Sequence, residues 1–166
     1  DAQESRGLGD VYKRQLQNPA PLNAWDLVFG ALFLALLVGE TLADREQWEF
    51  HRRKKQAGGT LAPGFATEGL FRYSRHPNFF FEQSQWWVLY AIGASAAVAS
   101  GAGFLGGAIN WTIIGPILLS VLFVGSTIFT ESITAGKYPA YADYRRSTSM
   151  IIPWPPRARP VTEPAA

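Results

Sequence analysis

The chain has 166 residues, of which 48% are hydrophobic, 14% aromatic and 17% charged, and it contains no cysteine. This length bounds the chain at one domain, and the apolar content excludes intrinsic disorder. The missing thiols exclude a disulfide framework and a thiolate zinc site, and we predict no metal site. The net charge of +2 indicates neither a nucleic-acid binder nor an acidic tail. The remaining choice is between a soluble core and a membrane-embedded one.

The two ends of the chain differ in composition from the rest. Residues 1–15 are polar, lack the apolar stretch of a secretory signal, and contain GLGDVYKRQ, which resembles translated linker remnants of environmental sequence fragments. We expect residues 1–15 to be a non-native or disordered leader, and the chain to be the C-terminal part of a longer protein. Four prolines between positions 153 and 160 predict an extended tail, disordered over residues 157–166.

Long uncharged segments favour lipid as the solvent of the middle of the chain. Between Glu82 and Glu131, 48 consecutive residues carry no charged side chain. This run divides at a glycine-rich turn into residues 85–100 and 110–130, and residues 22–43 form a third apolar segment. Each segment approaches the roughly 20 residues that cross a bilayer core. We predict an all-α, multi-pass transmembrane bundle of about three membrane helices with short cytoplasmic amphipathic helices; the alternative is a soluble protein with two buried core helices.

The basic residues predict the orientation of these helices. Seven of the fifteen Lys and Arg residues lie between Asp44 and His76, five follow Glu131, and the 100–110 connection has none. By the positive-inside rule, the first helix runs inward, the next two form a hairpin that returns to the cytoplasm, and the C-terminus stays there.

A polar stripe marks the end of the first predicted helix. Glu40, Asp44, Gln47 and His51 are spaced four, three and four residues apart, so they share one helix face. A carboxylate on this face could accept two hydrogen bonds from a ribose diol, and the basic run that begins at Arg52 could hold a phosphate. The alternative is a solvated helix end whose basic run binds anionic lipid headgroups.

The segment GLFRYSRHPN precedes the second predicted helix. Pro77 disfavours the α conformation at His76, and Asn78 is suited to cap the helix that follows. The amides of that helix start would then lie beside Arg72, Arg75 and His76. Two guanidinium groups and an imidazole at a helix start predict an anion site that suits a pyrophosphate. The alternative is positive-inside anchoring with an ordinary cap.

The third polar segment runs from Glu131 through KYPAYADYRRSTS. Pro139 suits a first helical position, and Tyr141, Tyr144 and Arg145 then lie on one side of a short amphipathic helix. These tyrosines could stack on a nucleobase or donate to phosphates, and they could equally be interface anchors. Glu131 ends a predicted span opposite the basic connection, which favours a functional role.

The order of these motifs resembles a known family. The motifs are E-x-x-AD, GLFRYSRHPNFFFE with WW, then GP, then E with KYPxYxxYRR-x-TS-x-x-IPW, over residues 22–156. This order is similar to the bacterial steroid 5-alpha-reductase-like membrane family, long catalogued as a domain of unknown function. Its wider superfamily includes steroid 5-alpha-reductases and sterol reductases, which reduce a carbon–carbon double bond with NADPH. A distant branch, the isoprenylcysteine and phospholipid methyltransferases, shares the RHP motif and uses S-adenosylmethionine.

The resemblance implies an NADPH-dependent reductase of a hydrophobic, steroid- or lipid-like substrate in a bacterial inner membrane, with the cofactor site in the cytoplasm. It implies that Asp44 meets the adenosine end of the cofactor, and Glu40 and Glu82 are candidate acids that polarise the substrate. The cofactor-binding candidates are Asp44, Gln47, Arg52, Arg72, Arg75, His76, Asn78, Glu131, Lys137, Tyr138, Tyr141, Tyr144 and Arg145.

Two other functions stay open at this point. One is an S-adenosylmethionine-dependent membrane methyltransferase, and the other is a small membrane scaffold whose basic connection binds anionic lipid. The chain also departs from its relatives, because many read NYFGE where this chain has NFFFE, so Phe79 lacks a phenol. The expected partners are a hydrophobic substrate and membrane lipids, without nucleic acid.

Overall fold

A computed structural model describes residues 22–157 of the chain, except for the side chains of residues 100 and 102. The predicted leader and all but the first residue of the predicted tail lie outside the described residues. The α-helices of these described residues are α1 (Ala24–Gln56), α2 (Pro77–Ala97), α3 (Gly103–Ala108), α4 (Ile114–Lys137) and α5 (Tyr141–Ser147). Within residues 22–157 the extended backbone pairs at one parallel bridge, between Ser74 and Ser149. The predicted all-α class is confirmed.

Helix α1 is longer than the apolar segment that predicted it. It begins after Asn23, whose side chain accepts hydrogen bonds from Trp25 N at 2.7 Å and Asp26 N at 3.3 Å, while the Asp26 carboxylate accepts from Asn23 N at 2.8 Å. This capping box satisfies amides that the first turn leaves free. The helix continues past position 43 to Gln56 because the polar residues that follow, mainly Arg, Glu, Gln and Lys, are strong helix formers.

Helix α2 begins earlier than predicted, and its cap differs from the predicted one. Pro77 is the first helical residue and His76 is the N-cap, so the prediction that Asn78 caps the helix is wrong. Proline lacks an amide hydrogen and has a fixed φ, which suits the first helical position and leaves Asn78 inside the first turn. The glycine-rich connection, predicted as a plain turn, contains α3 after a kink at Gly101, where φ is +95°.

Two stretches of the described chain are long and apolar enough to cross a membrane, namely α1 and Gly103–Lys137, which contains α3, the connection at residues 109–113 and α4. They correspond to the predicted spans 22–43 and 110–130. The third predicted span falls in α2, which is not one of these stretches. Apolar side chains on the outer faces of α1 and α4 are exposed, for example Leu34 and Leu118 at 62% and 63%. Such faces are surfaces for lipid or for further helices.

Helix α2 packs against both α1 and α4. It approaches α1 closely at Gly39, where a Cβ atom would overlap the ring of Phe81. On its other side, Ser120 of α4 accepts hydrogen bonds from the Gln83 amide at 2.6 Å and the Trp87 indole at 3.2 Å. This arrangement brings the end of α1, the start of α2 and the end of α4 together at one end of the bundle, which we call the polar end.

Candidate functional site

The C-terminal segment is fixed against the start of α2 by backbone hydrogen bonds. Arg75 N donates to Ser149 O at 2.8 Å, His76 N donates to Met150 O at 3.1 Å, and Trp154 N donates to Tyr73 O at 3.0 Å. Residues 148–157, which follow α5, therefore form one wall of the polar end although they contain no helix and no strand.

A buried ion pair joins the segment before α2 to α4 at this end. The Arg75 guanidinium donates through Nε to Glu131 Oε1 at 2.6 Å and through Nη2 to Glu131 Oε2 at 3.1 Å. The two residues are only 9% and 3% exposed. Because the pair is bidentate and shielded from water, both side chains are held in a single geometry.

Further groups complete the hydrogen bonding of this pair. Arg75 Nη1 donates to the carbonyl oxygens of Arg145 and Thr148, in or beside α5. On the other side, His76 Nε2 lies 3.3 Å from Glu131 Oε1 and Arg145 Nε lies 3.4 Å from Glu131 Oε2. Arg75 therefore ties together α2, α4 and α5. Its guanidinium is engaged by the protein, so its role is to position the wall of the site.

The predicted tyrosines of α5 are buried beside this ion pair. The Tyr144 hydroxyl donates to the Phe71 carbonyl, and the ring of Phe65 lies 4.9 Å from that of Tyr141 and 5.3 Å from that of Tyr144, between centroids. Burial, with a smaller effect of the Glu131 carboxylate, raises the pKa of the Tyr141 phenol. Burial also raises the pKa of the Tyr144 phenol, so both hydroxyl groups stay protonated at neutral pH.

Replacing Tyr144 with phenylalanine tests this buried contact. We expect the free energy of unfolding to fall by about 1–3 kcal/mol, because the Phe71 carbonyl would lose its buried donor. Tyr73, which is 44% exposed, offers a matched control, and Tyr73→Phe should change the stability by less than about 0.5 kcal/mol. Thermal unfolding in detergent measures both; equal effects would contradict the assignment.

Lys54 connects α1 to the loop before α2 and to the end of α4. Its ammonium group donates to the Gly64 carbonyl at 2.7 Å and to the Tyr138 hydroxyl at 2.7 Å. The hydrogen bond from Lys54 lowers the pKa of the Tyr138 phenol. Lys137 lies over the same ring, with Nζ 5.5 Å from its centroid. Two ammonium groups therefore flank one phenol at the mouth of the site.

These elements enclose a cavity of about 400 Å³ at the polar end, which we call the central cavity. Its walls are the last turns of α1 and α4, the 64–66 loop, the start of α2, and α5. Eight of the predicted cofactor-binding residues line it: Gln47, Arg75, His76, Asn78, Lys137, Tyr138, Tyr141 and Tyr144. The structure thus brings together residues from three segments that lie far apart in the sequence.

Five other candidates lie outside the lining. Glu131 is buried behind the wall as the partner of Arg75. Arg52 is exposed and stacks over the Trp48 ring. Arg72 lines a different cleft, beside Glu46. Asp44 is exposed on α1, and Arg145 reaches the opposite side of the ion pair.

The two candidate acids lie in the seam between α1 and α2. Glu40 accepts a hydrogen bond from the Gln85 amide. The carboxylates of Glu40 and Asp44 repel that of Glu82, because all three carry the same charge. Neither acid lines the central cavity, but Asn78, one turn before Glu82 on α2, does. The seam therefore continues from the cavity toward the apolar part of the bundle.

The family of the chain follows from comparison with known proteins. A family model described as a protein of unknown function, DUF1295, matches residues 10–148. The chain belongs to the DUF1295 family. An uncharacterized fission yeast protein, C594.04c of Schizosaccharomyces pombe, is 35% identical over 149 residues, covering 82% of this chain and 41% of that relative. The chain thus spans less than half of the length of this relative. No solved structure matches the 166-residue chain.

Several residues that line the cavity of this DUF1295 chain were not named as cofactor-binding candidates, although His51 belongs to the polar stripe and Lys54 to the basic run that begins at Arg52. They are Phe50, His51, Lys54, Gly64, Phe65, Ala66, Phe71, Phe79, Thr130 and Thr134. Lys54 had a signal in the sequence, because the four–three–four spacing of the polar stripe reaches it three residues after His51. Phe65 had none, since it lies in an irregular loop without periodicity.

Proposed function

We propose that this chain is part of a membrane reductase that uses NADPH to reduce a carbon–carbon double bond of a hydrophobic substrate. The observation that carries the proposal is the charge of the central cavity. Lys54 and Lys137 line it, Arg75 in its wall is already paired with Glu131, and no carboxylate lines the cavity among the described residues. An anionic dinucleotide suits such a lining, because ammonium groups form charge-assisted hydrogen bonds to phosphate.

The same lining disfavours the alternative cofactor. S-adenosylmethionine carries a sulfonium cation, which would lie among ammonium groups without a compensating carboxylate in the cavity. Like charges that approach within a few ångströms repel, and the repulsion is stronger in a partly desolvated site. The cationic lining therefore favours an NADPH-dependent reductase, similar to the steroid 5-alpha-reductases, over a methyltransferase that uses S-adenosylmethionine.

The lining residues fit the parts of a dinucleotide. The volume of about 400 Å³ falls within the range of small-molecule sites, about 300–1,000 Å³. Lys54 and Lys137 would hold phosphates, the amides of Gln47 and Asn78 would bind polar groups, and the ring of Phe65 offers a stacking face. When bound, NADPH supplies the hydride.

The residues of the chain would position the substrate and supply a proton. Glu82 is the candidate acid that we favour, because Glu40 already accepts a hydrogen bond from Gln85. From the seam between α1 and α2, a protonated carboxyl could donate to a carbonyl oxygen of a substrate that enters from the apolar side. We also propose that the chain belongs to a multi-pass protein of a bacterial inner membrane, and that the polar end of the helix bundle lies on the cytoplasmic side.

Ligand-induced stabilisation tests the proposed cofactor. We expect NADPH to raise the unfolding temperature of the detergent-solubilised chain, since a ligand at 100 times its Kd adds about 2.7 kcal/mol of stability. S-adenosylmethionine should have no effect at the same concentration. The absence of a shift with NADPH, or a shift with S-adenosylmethionine alone, would overturn the proposal.

Charge removal at Lys54 tests the position of the cofactor. We expect Lys54→Met to weaken NADPH binding by about tenfold or more, because one charge-assisted contact to phosphate is worth about 1.5–3 kcal/mol. The matched control is Lys55→Met, at the next and exposed position of α1, which is absent from the cavity lining. Isothermal titration of both variants compares the two, and an equal loss would place the phosphates elsewhere.

A further inference from the structure

A second basic concavity lies on the opposite side of Arg75 from the central cavity. We call it the arginine cleft, and its volume is about 400 Å³. Four arginines line it, together with the chain from Ser147 to Met150, Trp154 and Pro155, and no carboxylate lines it among the residues that the structure describes. The arginines are Arg75, Arg145, Arg146 and Arg157.

The walls of the arginine cleft are built into the fold. Ser74 Oγ donates to Ile151 O at 2.6 Å, and Arg157 N donates to Ser147 O at 2.9 Å. The second bond holds the backbone of Arg157 next to the end of α5. With the bridge between Ser74 and Ser149, these bonds fix the positions from which the arginine side chains extend. The backbone of the cleft is therefore fixed, and the arginine side chains extend from it into the cleft.

The carboxylates near the cleft neutralise only part of its charge. Glu131 pairs with Arg75 from the far side and lies 3.4 Å from Arg145. Asp143 pairs with Arg146 across a single turn of α5, at an exposed position where such a pair contributes little. Against these two acids stand four guanidinium groups, so the cleft retains a positive charge that an anion can compensate.

We propose that the arginine cleft binds a phosphate group, at a site separate from the central cavity. Guanidinium groups bind phosphate oxygens through paired N–H donors, and Ser149 adds a hydroxyl group at the cleft. Two sources carry this chemistry, an anionic lipid headgroup and a free phosphate or pyrophosphate. Trp154 and Ile152, on the same segment, are 67% and 66% exposed. An indole and an aliphatic side chain beside arginines are typical of the headgroup level of a membrane.

Stability measurements on the full chain in neutral detergent test the cleft. The probes are sodium pyrophosphate and mixed micelles with phosphatidic acid, each against phosphatidylcholine micelles alone. The variant is Arg146→Gln with Arg157→Gln. The control is Arg45→Gln with Arg53→Gln, which removes the same charge from exposed positions of α1. Stabilisation by NADPH is measured in parallel, because the proposed cofactor site should be unaffected in the cleft variant.

We expect at least one probe to stabilise the unmodified chain. Its half-maximal concentration should rise by about tenfold or more in the cleft variant and by less than about twofold in the control. Stabilisation by phosphatidic acid alone would identify a lipid headgroup, and stabilisation by pyrophosphate would identify a free phosphate. Equal weakening in both variants would show general electrostatic attraction and overturn the proposal, as would the failure of both probes.

Discussion

Replacing Glu131 with glutamine should lower the free energy of unfolding by about 3–5 kcal/mol. The neutral amide would leave the Arg75 guanidinium without its counter-charge. The side chain of Arg75 is 7% exposed and is enclosed by α2, α4 and α5. An unpaired buried charge is costly because the protein replaces water with a medium that solvates the ion poorly. The measurement is denaturant or thermal unfolding of the purified chain in detergent.

An exposed pair of the same chemistry provides the control. Arg45 and Glu49 form an ion pair at 3.0 Å one turn apart on α1, with side chains that are 72% and 40% exposed. Glu49→Gln should change the free energy of unfolding by less than about 1 kcal/mol, because water and salt screen this pair. If both variants lost the same small amount of stability, the Arg75–Glu131 pair would not be what holds the elements of the polar end together.

The second large effect is expected at Gly64. This residue has a φ of +98°, and an added Cβ atom would overlap the ring of Tyr138. Gly64→Ala should therefore destabilise the chain in two ways, by about 1–3 kcal/mol of backbone strain and by a similar amount from overpacking. Displacing Tyr138 would also break its hydrogen bond with Lys54, so NADPH binding should weaken along with stability.

Gly59 separates the two contributions. Its φ of +85° requires the same region of backbone conformation, but nothing lies within 4 Å of an added Cβ atom. Gly59→Ala should show the backbone strain alone and leave NADPH binding unchanged. The difference between the two variants in unfolding temperature and in NADPH affinity measures the contact with Tyr138. No difference would mean that Tyr138 moves away freely and does not shape the cavity.

The predicted anion site at the start of α2 shows how far residue type and spacing lead. Arg75 and His76 do line one cavity, together with Asn78, whereas Arg72, the third basic residue of the predicted site, lines a different cleft. The sequence did not reveal that Arg75 is engaged by Glu131, which lies 56 positions further along the chain. The helix periodicity that placed His51 and Gln47 on one face carries no information about partners on another helix.

The loop before α2 and the ends of helices were harder to predict than the helices themselves. The cap of α2 was assigned to Asn78 from side-chain preference, whereas the conformational restriction of Pro77 decides that His76 is the cap. Phe65 contributes a ring that contacts both Tyr141 and Tyr144, and no period identifies a residue in an irregular loop.

The sequence by itself determined the helical class, the apolar segments and the clustering of cations near their ends. These properties depend on composition and on a repeat of about 3.6 residues, which are local. Only the tertiary structure decided which cation binds which partner. In the folded chain Arg75 and Glu131 form a buried ion pair. Lys54 and Lys137 line the central cavity, and Arg146 and Arg157 line the arginine cleft. The reason is that such contacts join residues far apart in the chain, where the packing of helices and the exclusion of water set the pairing.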